Sequence, residues 1–179
     1  MSDKKAQTRE RILQAASAAL IQRGPAEPSV GEVMGAAGLT VGGFYAHFES
    51  KDALMLEAFT QLLATRRAAI EDIDGQLTGE ERRSLAAAFY LSRKHRDATT
   101  QACPLPATLG EMGRLPDEFR QALNEHTELM AAQLAASPED TDKALAGMAL
   151  MIGGLALARA LGPGELSDRV LRAAKSAVR

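Results

Sequence analysis

Nowhere in this chain do apolar and polar residues alternate as a half-buried strand requires; apolar side chains recur instead at three- and four-residue spacing. That pattern rules out a sheet core and demands helices packed on helices. Aromatic residues make up only 4% and Trp is absent, so alanine and the aliphatic residues must fill the core. The first stripe, Ile12, Leu13, Ala16, Ala19 and Leu20, predicts a helix over 7–23, which Gly24 closes and Pro25 prevents from continuing. Ser29 and Glu32 form a capping-box pattern that starts a second, short helix ending at Gly38. Thr40 is placed to cap a third through His47, and Ser50 a long fourth carrying Leu54, Met55, Ala58, Phe59, Leu62 and Leu63. Asp74-Gly75 reads as a turn, and Thr78 with Glu81 repeats the capping box. A polar loop is expected over 94–101, a helix opened by Pro104, another over 117–136, a third started by Ser137-Pro138-Glu139-Asp140, and a last one capped by Ser167. The expected fold is all-α with about nine helices, divided into a domain over 1–52 and a larger one over 53–179.

A single Cys excludes an internal disulfide framework and a cysteine-based zinc site. His47, His95 and His126 are not at metal-ligand spacing, and without strands there is no phosphate loop; no cofactor and no catalytic residue are expected. Cys103 with His126 is the one conceivable nucleophile–base pair, with no spacing rule behind it. The apolar run from Met148 to Ala158 is too short to span a bilayer, so no membrane is expected and the protein reads as cytoplasmic. Three classes compete: a nucleic-acid-binding regulator, a helical interaction module, and a weak cysteine enzyme.

Two short helices joined by Ala37-Gly38-Leu39-Thr40 have the layout of a helix-turn-helix: Gly38 permits the positive φ of a sharp turn and Leu39 plugs the angle. The run from Gly38 to Leu54, with Tyr45, His47, Phe48 and Lys51 at its signature spacing, resembles the tetracycline-repressor (TetR) family over about residues 8–59. The resemblance implies an N-terminal DNA-binding domain and a helical ligand and dimer domain. It places Thr40, Val41, Gly42, Gly43, Tyr45 and His47 on the DNA-facing element, with Tyr45 and His47 reaching phosphates. Ser50 and Lys51 would offer amides and an ammonium to another phosphate, and Ser29 would do likewise. Val41 and Gly43 depart from relatives that carry Lys and Ser or Thr there, which shifts the reading from base-edge hydrogen bonds to a thymine methyl and to DNA shape. Charge is against the assignment: residues 1–55 hold six Lys/Arg and six Asp/Glu, and the chain carries −2 overall.

The helix from Ser137 is apolar nearly all round, so both sides must be covered. Leu145, Met148, Ala149, Ile152, Leu155 and Ala156, with Val170, Leu171 and Ala174 of the last helix, are the expected homodimer interface. Phe89, Tyr90, Cys103, Leu105, Leu109, Met112, Phe119, Leu123, His126, Met130 and Met151 are candidates to line an apolar cavity for a small hydrophobic effector. Cys103 precedes Pro104 at a helix start, close in sequence to Arg93-Lys94-His95-Arg96, a setting that lowers a thiol pKa; the opposing expectation is a buried, inert Cys. The partners implied are a roughly palindromic double-stranded DNA operator, a second copy of the chain, and that effector. The expected function is a transcriptional repressor that the effector releases from its operator.

Overall fold

Helix α1 (Ser2–Arg23) starts five residues earlier than its apolar stripe requires, because exposed polar residues extend a helix as readily as they end one. The computed structural model describes residues 2–71 and 76–178, so the turn expected at Asp74-Gly75 lies outside the described residues. After α1 come α2 (Val30–Ala36), a 3-10 helix over Val41–Ala46, α3 (Lys51–Glu71), α4 (Gly79–Tyr90) and α5 (Arg93–Arg96). Then follow α6 (Leu105–Thr108), a 3-10 helix over Leu109–Arg114, α7 (Asp117–Leu134), a 3-10 turn over Pro138–Asp140, α8 (Thr141–Leu161) and α9 (Glu165–Ala177). The all-α expectation is met: no strand occurs among the described residues.

Three local expectations are corrected. The third helix is 3-10 rather than α, and Thr40 makes no side-chain cap bond to it. Adjacent Gly42 and Gly43 supply little helix propensity, roughly 1 kcal/mol less than alanine at each site, so i→i+3 bonds such as Gly43 N–H to Thr40 O at 3.2 Å prevail. The stretch over 94–101 is not all loop: Ser92 caps α5 by accepting from the His95 N–H at 3.1 Å. Ser167 lies inside α9 and does not cap it. Its hydroxyl donates to the Ala158 carbonyl at 2.8 Å and accepts from Arg96 at 2.9 Å.

The chain forms two units, Met1–Leu63 with Thr99–Ala122, and Ala64–Ala98 with Leu123–Arg179. This division departs from a cut at residue 52, since residues 99–122 join the N-terminal unit. In the first unit Ile12, Leu20, Met34, Phe44, Leu54, Met55 and Phe59 are buried, and Phe59 meets Phe119 at 5.5 Å between ring centroids. Cys103 is buried there too, 2% exposed, which favours the inert filler over the reactive thiol.

In the second unit one face of α8 (Ala144, Met148, Met151, Leu155, Ala158) packs with Ala87, Leu91, Leu134 and Leu171. Met148, Leu155 and Leu171 are therefore core residues and not interface residues; a helix apolar all round does not reveal which face its own chain covers. Gly154 permits the α8–α9 approach, since a Cβ there would lie 2.7 Å from that of Ala174. The span Pro138–Leu161 is long and apolar enough to cross a membrane by length and composition, so the shortness of one apolar run is not the argument against it. Its buried core face identifies it as the central helix of the unit.

Polar anchors in this unit are long-range. Arg96, 8% exposed, binds Asp97 and reaches Asp168 at 2.8 Å, while Arg159 donates to the His95 and Arg96 carbonyls. Burial, reinforced by Arg159 and Arg66 against the pull of the Tyr90 carbonyl, holds the His95 imidazole down at about 4. Burial beside the Arg67 guanidinium brings His126 to about 4 as well. Both rings fold neutral, whereas the unfolded chain takes up protons near 6.5. Their contribution is complete above 6.5 and is lost as pH falls towards 4. Urea midpoints measured from pH 7.5 to 4.5 should therefore decline through that window, and a His126→Gln variant should show a shallower decline whatever its midpoint at pH 7.5. An unchanged slope in the variant would show that His126 does not contribute to the decline.

Candidate nucleic-acid interface

The site is built on a helix too short to persist alone. α2 has seven residues, well below the ~12 at which an isolated helix becomes even marginal in water. Both its ends are secured. Ser29 Oγ accepts from the Glu32 N–H at 3.2 Å, and the Glu32 carboxylate accepts from the Ser29 N–H and hydroxyl at 2.8 Å each. Those bonds, the backbone one first, and Arg23 at 2.9 Å hold the Glu32 carboxyl down at about 2. At the other end Leu39 N–H bonds the Met34 carbonyl and Gly38 N–H the Gly35 carbonyl, both at 2.9 Å, with Gly38 at φ +67. This is a Schellman closure with glycine in the left-handed position. Arg11 of α1 donates to the Ala37 carbonyl across the same turn.

The following 3-10 helix presents what the closure aims. Phe44 is fully buried and stacks on Phe48 at 5.9 Å, while Val41 and Tyr45 are 50% and 73% exposed. Thr40, Gly42 and Gly43 are exposed with them. A Cβ at Gly42 would meet nothing within 4 Å, and one at Gly43 only the Met34 methyl at 3.9 Å, so the glycines leave open space outside the protein. His47 is half-buried, and its Nδ1 is enclosed without a hydrogen-bond partner. Ser50 caps α3, its Oγ accepting from the Ala53 N–H at 3.0 Å.

Two expected phosphate ligands have prior duties. The Ser29 hydroxyl and N–H are both engaged by Glu32, which itself brings a negative charge, so Ser29 serves α2. Lys51 Nζ donates to the Ala26 carbonyl at 2.6 Å and braces the α1–α2 loop. Arg9 pairs with Glu57 and lies 4.6 Å over the Phe48 ring. Arg9 and Arg11 escaped the sequence reading because their partners lie 48 and 26 residues away. The one available signal was that Arg9 stands three and four residues before Ile12 and Leu13, in line with the first apolar stripe; Arg11 lies on another side of the helix and gave none.

The cavity candidates are divided between the two units. Phe89 and Leu109 are 71% and 40% exposed. Cys103, Leu105 and Phe119 are buried and Met112 is half-buried in the first unit. Met130 and Met151 are buried in the second unit's core with Tyr90 against it. His126 is buried with its Nδ1 3.3 Å from Arg67, and Leu123 is half-buried. Among the described residues no three His, Cys, Asp or Glu side chains form a group able to hold a metal ion.

Residues 12–58 match the bacterial regulatory proteins of the tetR family. Over 102 residues the chain is 28% identical to the HTH-type transcriptional regulator YerO of Bacillus subtilis, a match covering 54% of this chain and 34% of that protein. The chain thus matches about a third of the length of that relative. A TetR-family regulator from Agrobacterium tumefaciens superposes with TM-score 0.79 at 19% identity, over 97% of this chain and 98% of that one. A TetR regulator from Chloroflexus aurantiacus does so with TM-score 0.77 at 25% identity, over 98% and 94%. A helix-turn-helix closed at both ends thus matches the tetR family of bacterial regulatory proteins over residues 12–58, and the chain carries the all-helical fold of the solved TetR regulators.

Proposed function

We propose that this protein is a transcriptional repressor that binds a roughly palindromic operator as a homodimer and leaves it when a small hydrophobic effector binds. Residues 1–52 act as the DNA-binding domain, and 53–179 supply the dimer and effector surfaces. The observation that carries the reading is the exposed edge Thr40, Val41, Gly42, Gly43 and Tyr45, held rigid from behind by buried Phe44. A rigid, side-chain-poor edge suits close approach to a groove. Val41 offers a methyl contact to thymine, and Tyr45 and His47 offer hydrogen bonds to phosphate. Lys51 keeps the Ala26 carbonyl and has two further N–H donors for a phosphate at the α3 start.

The dimer surface is read from the face of α8 turned away from the core. Leu145, Ala149, Ile152 and Ala156 follow one another at helical spacing there, and a Cβ at Gly153 would meet nothing within 4 Å. Half-buried Val170 and Ala174 of α9 flank the α8 contact. His95 and His126 are buried and neutral, and Cys103 is buried, so none of the three presents an exposed nucleophile or base.

Fluorescence anisotropy with a duplex from the protein's own upstream region tests the DNA face. Gly43→Leu should keep the melting temperature, since the nearest atom is 3.9 Å from the new Cβ, and abolish binding. Lys51→Ala, which removes both a phosphate donor and the brace on the Ala26 carbonyl, should weaken operator binding and flatten the salt dependence by about one unit of slope. If both variants bind like the parent, this face does not meet DNA.

Light scattering tests the dimer. Ile152→Arg should give folded monomer, because a charge on that face cannot be buried against a partner. Met148→Arg should unfold the second unit instead, its side chain being only 6% exposed within the protomer. A wild-type chain that stays monomeric at micromolar concentration contradicts the reading.

A further inference from the structure

Ala26 is held by both its backbone groups, and from two different directions. Its carbonyl accepts from Lys51 Nζ at 2.6 Å, at the start of α3. Its N–H donates to the Glu111 carboxylate at 3.0 Å, from the 3-10 helix that follows α6. The approach is close: a Cβ at Gly24 would lie 2.5 Å from the Glu111 Oε2 and 2.9 Å from the Ala107 carbonyl. Gly24 also stands at φ +79, which disfavours any side chain there. The loop between is short and stiff, with Pro25 and Pro28 both buried and each fixed in φ. Three residues beyond Ala26 stands Ser29, the cap of α2.

We propose that Glu111 is a positioning residue for DNA binding. By gripping the Ala26 N–H it sets where α2 begins, and through α2 and its glycine closure, where the 3-10 helix Val41–Ala46 points. The proposal rests on the DNA-binding reading above and adds to it a residue far outside the matched segment 12–58. Glu111 itself meets no nucleic acid. Its effect on affinity has the opposite sign to its charge: a carboxylate near DNA repels phosphate, so deleting it favours binding on electrostatic grounds alone. A positioning role demands that deleting it weakens operator binding.

Two measurements on the full chain test this. Amide hydrogen exchange at Ala26 reads the clip without DNA. Anisotropy, with a duplex enriched from a random pool by the wild-type protein and with unenriched duplex, reads the consequence. Glu111→Ala should speed Ala26 exchange and weaken the enriched site about tenfold, the worth of one charge-assisted hydrogen bond. Affinity for unenriched duplex should hold or rise. Glu111→Gln keeps an acceptor oxygen and should restore both readings. Operator binding in Glu111→Ala that is unchanged or tighter overturns the proposal, whether or not exchange at Ala26 rises. Equal weakening on both duplexes, or no rescue by Gln in a variant with wild-type melting temperature, also overturns it. Wild-type protein that enriches no sequence overturns the DNA-binding reading itself, a failure that the exchange measurement separates from loss of the clip.

Discussion

Burial of Phe44 is the interaction on which the rest of the head depends. Six residues of 3-10 helix containing two adjacent glycines have no stability of their own, and their hydrogen bonds are poorer than those of an α-helix. With the Phe44 ring fully buried and stacked on Phe48, the backbone on either side is fixed, and its outer edge is presented without needing bulk of its own. The glycines are tolerable only because this anchor lies directly beside them. Burying a phenylalanine side chain contributes about 1.5–3 kcal/mol, enough to offset the propensity lost at the two glycines.

The balanced charge of the N-terminal segment takes on a different meaning once its cations are placed. Arg9 is tied to Glu57, Arg11 to the Ala37 carbonyl, Arg23 to Glu27 and Glu32, and Lys51 to the Ala26 carbonyl. Four of the six basic side chains between 1 and 55 therefore hold the head together. They brace the turn, the loop and the corner into α3, which is where a short α2 lacks support of its own. Positive charge here stabilises shape before it meets any ligand, and an overall charge of −2 is compatible with that use.

What was legible in the sequence was local. Ser29 with Glu32 and Thr78 with Glu81 form the reciprocal bonds that their spacing announces, because a capping box closes within four residues. Gly38 likewise sits at positive φ where the turn was read. The expected α character of Val41–Ala46 failed because the signature spacing marks a position in a family and does not count hydrogen bonds. α5 was missed because the partner that makes Arg96 buriable, Asp168, lies 72 residues on. Ser167 was misread as a cap for a related reason: serine serves equally well inside a helix when a carbonyl and a guanidinium wait across the interface. The two-sided apolarity of α8 was legible, but assigning Met148, Leu155 and Leu171 to one side required the packing of α4 and α9. For Glu111 no local signal existed, since its partner is 85 residues away.

Under the proposed function a glycine-edged 3-10 helix, aimed from behind by buried aromatics, reads DNA in two symmetric copies. Selection from a random duplex pool by the purified wild-type chain, followed by sequencing, tests it most directly. The expected result is an enriched inverted repeat whose half-sites are centred about 10 base pairs, or a multiple of that, apart. An enriched asymmetric site, or a pool with no enrichment, would contradict it.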